Sequence, residues 1–326
     1  KKFPGVPQDA INYLYSIASE VREILASIGV KSLDEIIGRT EFLEPDIDVD
    51  FQKTNNLDLS RLIADPDPSN EKPRKRVMER NVRNEDPIDY ELINIFTSSI
   101  QEFKKNSFDM LIKTKDRSVG AILSSAIAKK FGNKGLPSDT ISINFRGYAG
   151  QSFGAYLING VKINLEGEAN DYVGKSMHGG RINIYPDRES DFSTDGNSII
   201  GNTVLYGATA GYLFAAGTAG ERFCVRNSGA VAVVEGVGDH ACEYMAGGEV
   251  YIFGPIGKNL GAGMSGGIAY ILNENEDIYE QVNQDMVTIE KVNLKDLLKI
   301  KEILTKHLGA TSSKKASMLL ESFDTI

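Results

Sequence analysis

The sequence predicts a mainly β fold in which short strands stack as a β-solenoid of about seven coils, flanked by helical segments. Three observations carry this reading. Of 32 glycines, 25 fall between Gly147 and Gly267. Within that stretch a corner glycine returns at Gly160, Gly180, Gly211, Gly229, Gly248 and Gly267, at intervals of 20, 31, 18, 19 and 19 residues. Each is followed by a short apolar or alternating run, from Val161-Lys162-Ile163 to Ile268-Ala269-Tyr270-Ile271-Leu272. A single coil cannot bury its inward face, whereas stacking joins the faces into one apolar column.

The elements follow in chain order. From Asp9 to Ile28, the residues Ile11, Leu14, Ala18, Val21, Leu25 and Ile28 recur at helical spacing, which makes one apolar face. Gly29 stands where a C-terminal cap belongs. Ser32-Leu33-Asp34-Glu35 offers a capping box for a second, short helix ending near Gly38. The resulting hairpin, in residues 1–43, carries a stripe that needs a partner surface. Residues 44–116 read as a linker containing a helix at 88–104. Pro45, Pro66, Pro68, Pro73 and Pro87 punctuate it, and the basic cluster Lys72, Arg74, Lys75 and Arg76 among many acids reads as a solvated loop rather than a docking patch. Arg117 to Phe131 is a short extended piece followed by a helix ending at Gly132.

Residues 117–272 hold the repeats. Counting back 19 residues from Gly160 reaches Ile141-Ser142-Ile143-Asn144-Phe145, a seventh strand. The one long interval contains Pro186 to Asn197, a loop inserted into one coil. Glycine suits corners where φ is positive or backbones approach closely. Pro186 and Pro255 sit at strand ends, where no ladder donor is lost. Five residues before the first glycine of each corner stand Gly174, Tyr206, Cys224, Cys242 and Gly261, so the two cysteines are expected to stack on adjacent coils. In residues 273–326 an acidic stretch precedes a helix carrying Leu294, Leu297, Leu298, Ile300 and Leu304, and Ser317 to Phe323 forms one more. These helices are expected to cap an end of the solenoid, which otherwise exposes unpaired strand groups.

The motifs that resemble chemical sites give way to simpler readings. Gly261-Ala262-Gly263-Met264-Ser265-Gly266 fits G-x-G-x-x-G, but a dinucleotide site needs a helix after the glycines, and a strand follows here. His178 and His240 lie near corners, where acyltransferases of stacked coils carry a general base; the strict six-residue period of those enzymes is missing. Asp187, Glu189, Asp191 and Asp195 occupy the inserted loop as solvated charges. Cys224 and Cys242, with His240 nearby, read as small apolar core residues rather than a redox or metal pair. No catalytic, cofactor-binding or metal-binding residue is assigned. A net charge of -9 repels phosphate backbones and anionic lipid, so neither nucleic acid nor a membrane is an expected partner. No apolar run reaches the roughly 18 residues of a bilayer span, and Lys1-Lys2-Phe3-Pro4-Gly5 does not read as a secretory leader. Two cysteines make no disulfide framework. An intracellular setting is expected, cytoplasmic or organellar (plastid or mitochondrion).

Several segments carry a resemblance. Gly150-Gln151-Ser152-Phe153-Gly154-Ala155-Tyr156, Asn170-Asp171-Tyr172-Val173-Gly174-Lys175, Gly201-Asn202-Thr203-Val204-Leu205-Tyr206-Gly207 and Val234-Glu235-Gly236-Val237-Gly238-Asp239-His240-Ala241-Cys242 resemble the C-terminal GXGXG domain of the glutamate synthase large subunit. Phe3-Pro4-Gly5-Val6-Pro7, Glu20 to Leu25 and Ile37-Gly38-Arg39-Thr40 resemble the last helices of that family's FMN-binding barrel. The resemblance implies a single-stranded right-handed β-helix that packs between catalytic domains and holds them in relative position. It implies a parent oxidoreductase of glutamate biosynthesis that makes two glutamates from glutamine and 2-oxoglutarate with a cysteine amidotransferase, FMN and an iron–sulfur cluster. Cys224 and Cys242 do not match the cluster cysteines, so no cofactor is expected on this chain. It is expected to be a non-catalytic scaffold whose partners are the amidotransferase and barrel domains, with a small electron-donor subunit where the parent uses one. Related coils occur in a subunit of formylmethanofuran dehydrogenase, so an autonomous protein-binding module is the alternative; the barrel-like first 40 residues favour the synthase.

Overall fold

A computed structural model describes residues 5–45, 57–74, 77, 86–190, 194, 196–274 and 278–323. Lys1, Lys2, Phe3, Pro4, Lys75, Arg76, Asp191 and Asp195, singled out above, lie outside them. The chain divides into residues 1–84 and residues 85–326.

In the first unit, α1 (Pro7–Ser27) starts with proline at its first position, and the Asp9 carboxylate accepts the Val6 N–H at 3.0 Å. Gly29, at φ +76°, turns the chain away. The apolar stripe stays open: Ile11 is 44% and Leu14 64% exposed, and Leu25 alone among the helix residues is buried. The second helix expected at Ser32 is a single 3-10 turn, Leu33–Glu35. The Ser32 hydroxyl bonds the Glu35 carboxylate at 3.3 Å and caps no backbone amide, so nothing propagates the helix. A short α2 (Ser60–Ile63) follows. Arg74 donates to the Gly38 carbonyl at 2.5 Å and pairs with Asp65 at 3.5 Å, so this part of the basic cluster ties down its own loop.

The second unit opens with α3 (Asp89–Ile95) and α4 (Thr97–Glu102), which divide the expected helix at the buried Phe96. Asp89 is buried, and its carboxylate accepts the Gly120 and Leu123 N–H groups at 2.9–3.0 Å. It thereby satisfies the first turn of α5 (Ala121–Phe131) from outside that helix. Between them lies a strand absent from the sequence reading, β1 (Asn106–Ile112).

The strands that follow are β2 (Ile141–Ala149), β3 (Val161–Ala169), β4 (His178–Tyr185), β5 (Ser198–Ile200), β6 (Ala210–Ala215), β7 (Thr218–Ala219), β8 (Ser228–Val234), β9 (Ala246–Ile252) and β10 (Gly266–Ile271). All pairings are parallel, in the order β1-β2-β3-β4-β6-β8-β9-β10, and a short side ladder runs from β3 through β5 to β7. Among the described residues this ten-stranded sheet is open at both edges. Burial along β3 alternates strictly, as expected when one face meets the core. Ile163, Leu165, Ile182, Ile184, Leu213, Val234 and Ile252 line that inward face.

Leaving the sheet, each repeat passes through a corner of unusual backbone. Ser152, Gly154 and Tyr156 all have positive φ, and so do 172/174/176, 203/205/207, 222/224/226 and 240/242/244. The outer two N–H groups of each triplet donate to the next repeat and the middle one donates back: Ser152 to Asp171, Tyr156 to Lys175, Gly154 to Val119. The same exchange links Arg222 to Asp239, Arg226 to Glu243 and Cys224 to Val204. Left-handed conformation costs a non-glycine residue roughly 1–2 kcal/mol. The net gain of an interrepeat hydrogen bond, about 1 kcal/mol, is comparable, so the corner is stable only when stacked.

After β10 come α6 (Ile278–Gln281), α7 (Leu294–Thr311) and α8 (Lys314–Glu321). The last two lie along the outward face of the sheet rather than over its end. Phe214, Val233, Tyr251 and Tyr270, one from each of β6, β8, β9 and β10, pack against Ile303, Leu304, Ala316 and Leu319. This large apolar row needs a lateral cover.

The corner backbone is tested by two serines. Ser176→Gly, at φ +54°, should raise stability by roughly 0.5–1 kcal/mol, and Ser142→Gly in β2 should lower it by a similar amount. Equal losses in denaturant midpoint for both would contradict the corner account.

Candidate functional site

The six corner glycines stand where repeats touch. Gly180 has φ +73°, and a Cβ built there would lie 2.5 Å from the Val161 carbonyl oxygen. Gly160, Gly211, Gly248 and Gly267 also have positive φ, whereas Gly229 does not. Gly229 is glycine for space: a Cβ there would overlap the Thr209 carbonyl of the preceding repeat. The ladders slip register beside these corners, between His178 and Arg181, Ser228 and Val231, and Gly266 and Ile268, as bulges do.

Cys224 and Cys242 occupy the middle corner position of adjacent repeats, and the Cys242 N–H donates to the Phe223 carbonyl at 2.7 Å. Both are fully buried and free. Their column runs through Gly174 and Leu205 rather than Tyr206: the Leu205 N–H, not that of Tyr206, donates back to Val173. Counting from Gly211 missed this because Ala210 fills the first place of that corner pair. Burial pushes the Cys242 thiol up to about 12, and burial followed by its neighbour's charge pushes Cys224 up as well. Such thiols are poor nucleophiles and metal ligands.

The other candidates are held apart. His178 Nδ1 lies 2.7 Å from the Thr209 hydroxyl, while His240 Nδ1 lies 2.8 Å from the Glu243 carboxylate. Each imidazole has its own partner, and no nucleophile bonds the other nitrogen of either ring among the described residues. Asp187 and Glu189 pair with Arg146 at 3.3 and 3.5 Å. The Glu189 backbone N–H and this guanidinium hold the Asp187 carboxyl below its usual range. Gly261 to Gly266 runs directly into β10, so no helix N-terminus faces those glycines. Among the described residues no group of three or more metal-ligating side chains converges, and no helix is long and apolar enough to cross a membrane.

Three arrangements escaped the sequence reading. Asn144 donates to the Asp109 carboxylate at 2.7 Å, Asn164 to Asn144 at 2.6 Å and Asn183 to Asn164 at 2.7 Å. This outward ladder had a signal, since Ile-Asn recurs at 143–144, 163–164 and 182–183. Next along the face, α7 is tied to the sheet: Tyr270 donates to Asp296 at 2.9 Å, Tyr251 to Glu249 at 2.8 Å, and Lys299 pairs with Glu249. Burial, then the bond to Asp296, pushes the Tyr270 hydroxyl up to about 12. At the end of β8, the buried Glu235 gathers Thr194, His307 and Ser313. No local pattern points to that cluster.

The family model described as the GXGXG motif matches residues 89–326. The chain is 45% identical to ferredoxin-dependent glutamate synthase 2 of Synechocystis, 43% to the NADH glutamate synthase of Schizosaccharomyces pombe and 42% to the large chain of the NADPH glutamate synthase of Bacillus subtilis. Each match covers 99% of this chain and, respectively, 21%, 15% and 21% of the relative. The chain thus spans about a fifth or less of the length of these curated relatives. Glycines two residues apart are what left-handed positions at i, i+2 and i+4 favour.

Two outcomes check the site. Gly229→Ala should cost roughly 1–3 kcal/mol through the Thr209 overlap, whereas Gly309→Ala in α7, with open space around it, should add roughly 0.5–1 kcal/mol; urea midpoints report both. Iodoacetamide at neutral pH should leave Cys224 and Cys242 unmodified in the folded chain and label both after unfolding, as mass spectrometry would register.

Proposed function

The chain belongs to the GXGXG family and is a segment of a glutamate synthase large subunit; on that premise we propose that it is the C-terminal scaffold of such an enzyme, a right-handed β-helix that spaces catalytic domains lying elsewhere in the polypeptide. The observation that carries the reading is the corner-to-corner backbone bonding, which fixes the distance between repeats without relying on side chains. A body built this way transmits position with little give. The domain division under this reading is 1–43 as a helical remnant of the FMN-binding barrel, 44–116 as linker, 117–272 as β-helix and 273–326 as helical extension, with the corner glycines in a structural role.

The parent reaction, reductive amide transfer from glutamine to 2-oxoglutarate, is proposed to use FMN and an iron–sulfur cluster outside this chain. The residues here do not fit the cluster: it needs several cysteine thiolates, and the two cysteines present are buried with raised thiols. Nor do Gly261 to Gly266 fit a flavin phosphate, because β10 follows them. The amidotransferase and barrel domains are the proposed partners, and the open stripe of α1 supports a barrel contact. The electron donor differs among the relatives' names, and an intracellular compartment, cytoplasmic or organellar, is proposed.

The test assays the isolated chain for glutaminase activity, flavin binding and 2-oxoglutarate-dependent amide transfer. All three are expected to be missing, and any one of them in the isolated chain would overturn the scaffold reading.

A further inference from the structure

β1 forms one end of the ten-stranded sheet, and β2 is the strand that pairs with it. The Asn106 N–H donates to the Thr140 carbonyl at 3.0 Å, and along a strand the backbone groups that face one neighbour alternate with those that face the other. Asn106, Phe108, Met110 and Ile112 therefore turn their N–H and C=O groups to β2, whereas Ser107, Asp109 and Leu111 turn theirs outward. Among the described residues no strand pairs with that outer edge. Apolar surface accompanies it: Leu111 is 73% exposed, and Phe103, just before the strand, is 47% exposed.

The charge around this edge is opposite to that of the whole chain. Between Glu102 and Asp139 stand eight lysines and arginines and two aspartates, in a protein of net charge -9. Lys104 and Lys105 precede β1 and Lys113 follows it. Phe103 meets Phe131 with ring centroids 5.2 Å apart, which brings the exposed Lys129 and Lys130 of the last turn of α5 toward the start of the strand. Both aspartates turn to groups of this chain: Asp109 accepts from Asn144 at 2.7 Å, and Asp116 accepts the Lys113 N–H at 2.9 Å. At physiological salt, charges are screened beyond roughly 8 Å, so a partner at this edge meets the local cations rather than the net charge.

We propose that the outer edge of β1 is a docking edge for an extended acidic polypeptide segment, which joins the sheet as a further strand. The backbone groups of Ser107, Asp109 and Leu111 supply its hydrogen bonds, an apolar side chain of the partner covers Leu111, and the lysines at both ends of β1 meet its carboxylates. A second copy of this chain does not suit the edge, because antiparallel pairing of β1 with its own twofold mate about Asp109 would set Lys105 against Lys113. Nucleic acid and anionic lipid would use the lysines but leave the edge groups unpaired, since neither presents peptide donors and acceptors at strand spacing. Lysines beside an edge also deter indiscriminate pairing. A guarded edge refuses every strand, whereas the proposed one accepts an acidic strand and refuses a basic one.

The test titrates the full chain into a fluorescein-labelled peptide, Asp-Val-Asp-Val-Asp-Val with blocked ends, and follows its anisotropy. Saturable binding is expected, weaker by about fivefold or more when salt rises from ~50 to ~200 mM. The peptide with lysine in place of aspartate should bind at least about tenfold more weakly. Leu111→Pro removes an outward N–H at an edge position, where proline is tolerated, and should abolish the binding. Should that variant fail to fold, amide exchange in the unaltered chain decides: with peptide bound, the N–H groups of Ser107, Asp109 and Leu111 should exchange about tenfold or more slowly, while those of Phe108 and Met110, already turned to β2, change little. Failure of the acidic peptide to bind, equal binding of the basic one, binding without that alternating protection, or its displacement by a DNA duplex at equal concentration would each overturn the proposal.

Discussion

The alternating corner backbone is the constraint on which the remainder of the second unit depends. Three left-handed residues in five make an isolated corner costly, and Tyr172, Leu205, Arg222 or Tyr244 would not hold that conformation unaided. Stacking offsets the cost, because each triplet sends two N–H groups forward and one back. The spacing of repeats is then a property of the backbone, and the parallel strands follow in register. Their inward residues need only be apolar and of suitable volume, hence the run of isoleucine, valine, leucine and alanine. Glycine enters where a neighbouring carbonyl leaves no room for Cβ, as at Gly229.

With the inward face fixed, the outward face divides the sheet into two regimes. Across β1 to β4 the central row is Asp109, Asn144, Asn164 and Asn183. The Asp109 carboxylate accepts from Asn144, and each amide behind it donates to the one before, so the ladder runs in one direction. From β6 onward the same row is Phe214, Val233, Tyr251 and Tyr270. The amides pair with one another along the ladder, which ends at the buried Asn183 with its Oδ1 unpartnered; an aromatic row has no such bonds to make, and α7 and α8 supply its cover. The C-terminal helices therefore belong to the sheet as a second layer, which gives Glu235 the buried environment in which one carboxylate meets groups up to 78 residues away from it.

Much of this was legible in the sequence. The glycine interval located seven strands and the inserted loop, and helical spacing located α1 and α7. β1 was missed although Phe108, Met110 and Ile112 alternate: no glycine stands between Gly38 and Gly120, so the segment lacks the corner signal that marked the later strands. The cysteine column was placed through Tyr206 because counting assumed the same glycine in every corner pair, and bulges break that count. The turn after Ser32 failed as a helix since its serine and glutamate bonded each other. The Glu235 cluster had no signal: its members share no period, and only the folded path of the chain brings them together.

Corner-to-corner backbone bonding sets the spacing of the repeats in a chain that matches a segment of much longer glutamate synthases. Native-state hydrogen exchange at the corners measures that most directly. The account requires the N–H groups of Gly154, Gly174, Leu205, Cys224 and Cys242 to be as protected as those in the middle of β3 and β8, exchanging only through opening of the whole stack. Exchange of those amides at the rate of ordinary exposed loops, with the strands still protected, would show that the corners do not hold the repeats together.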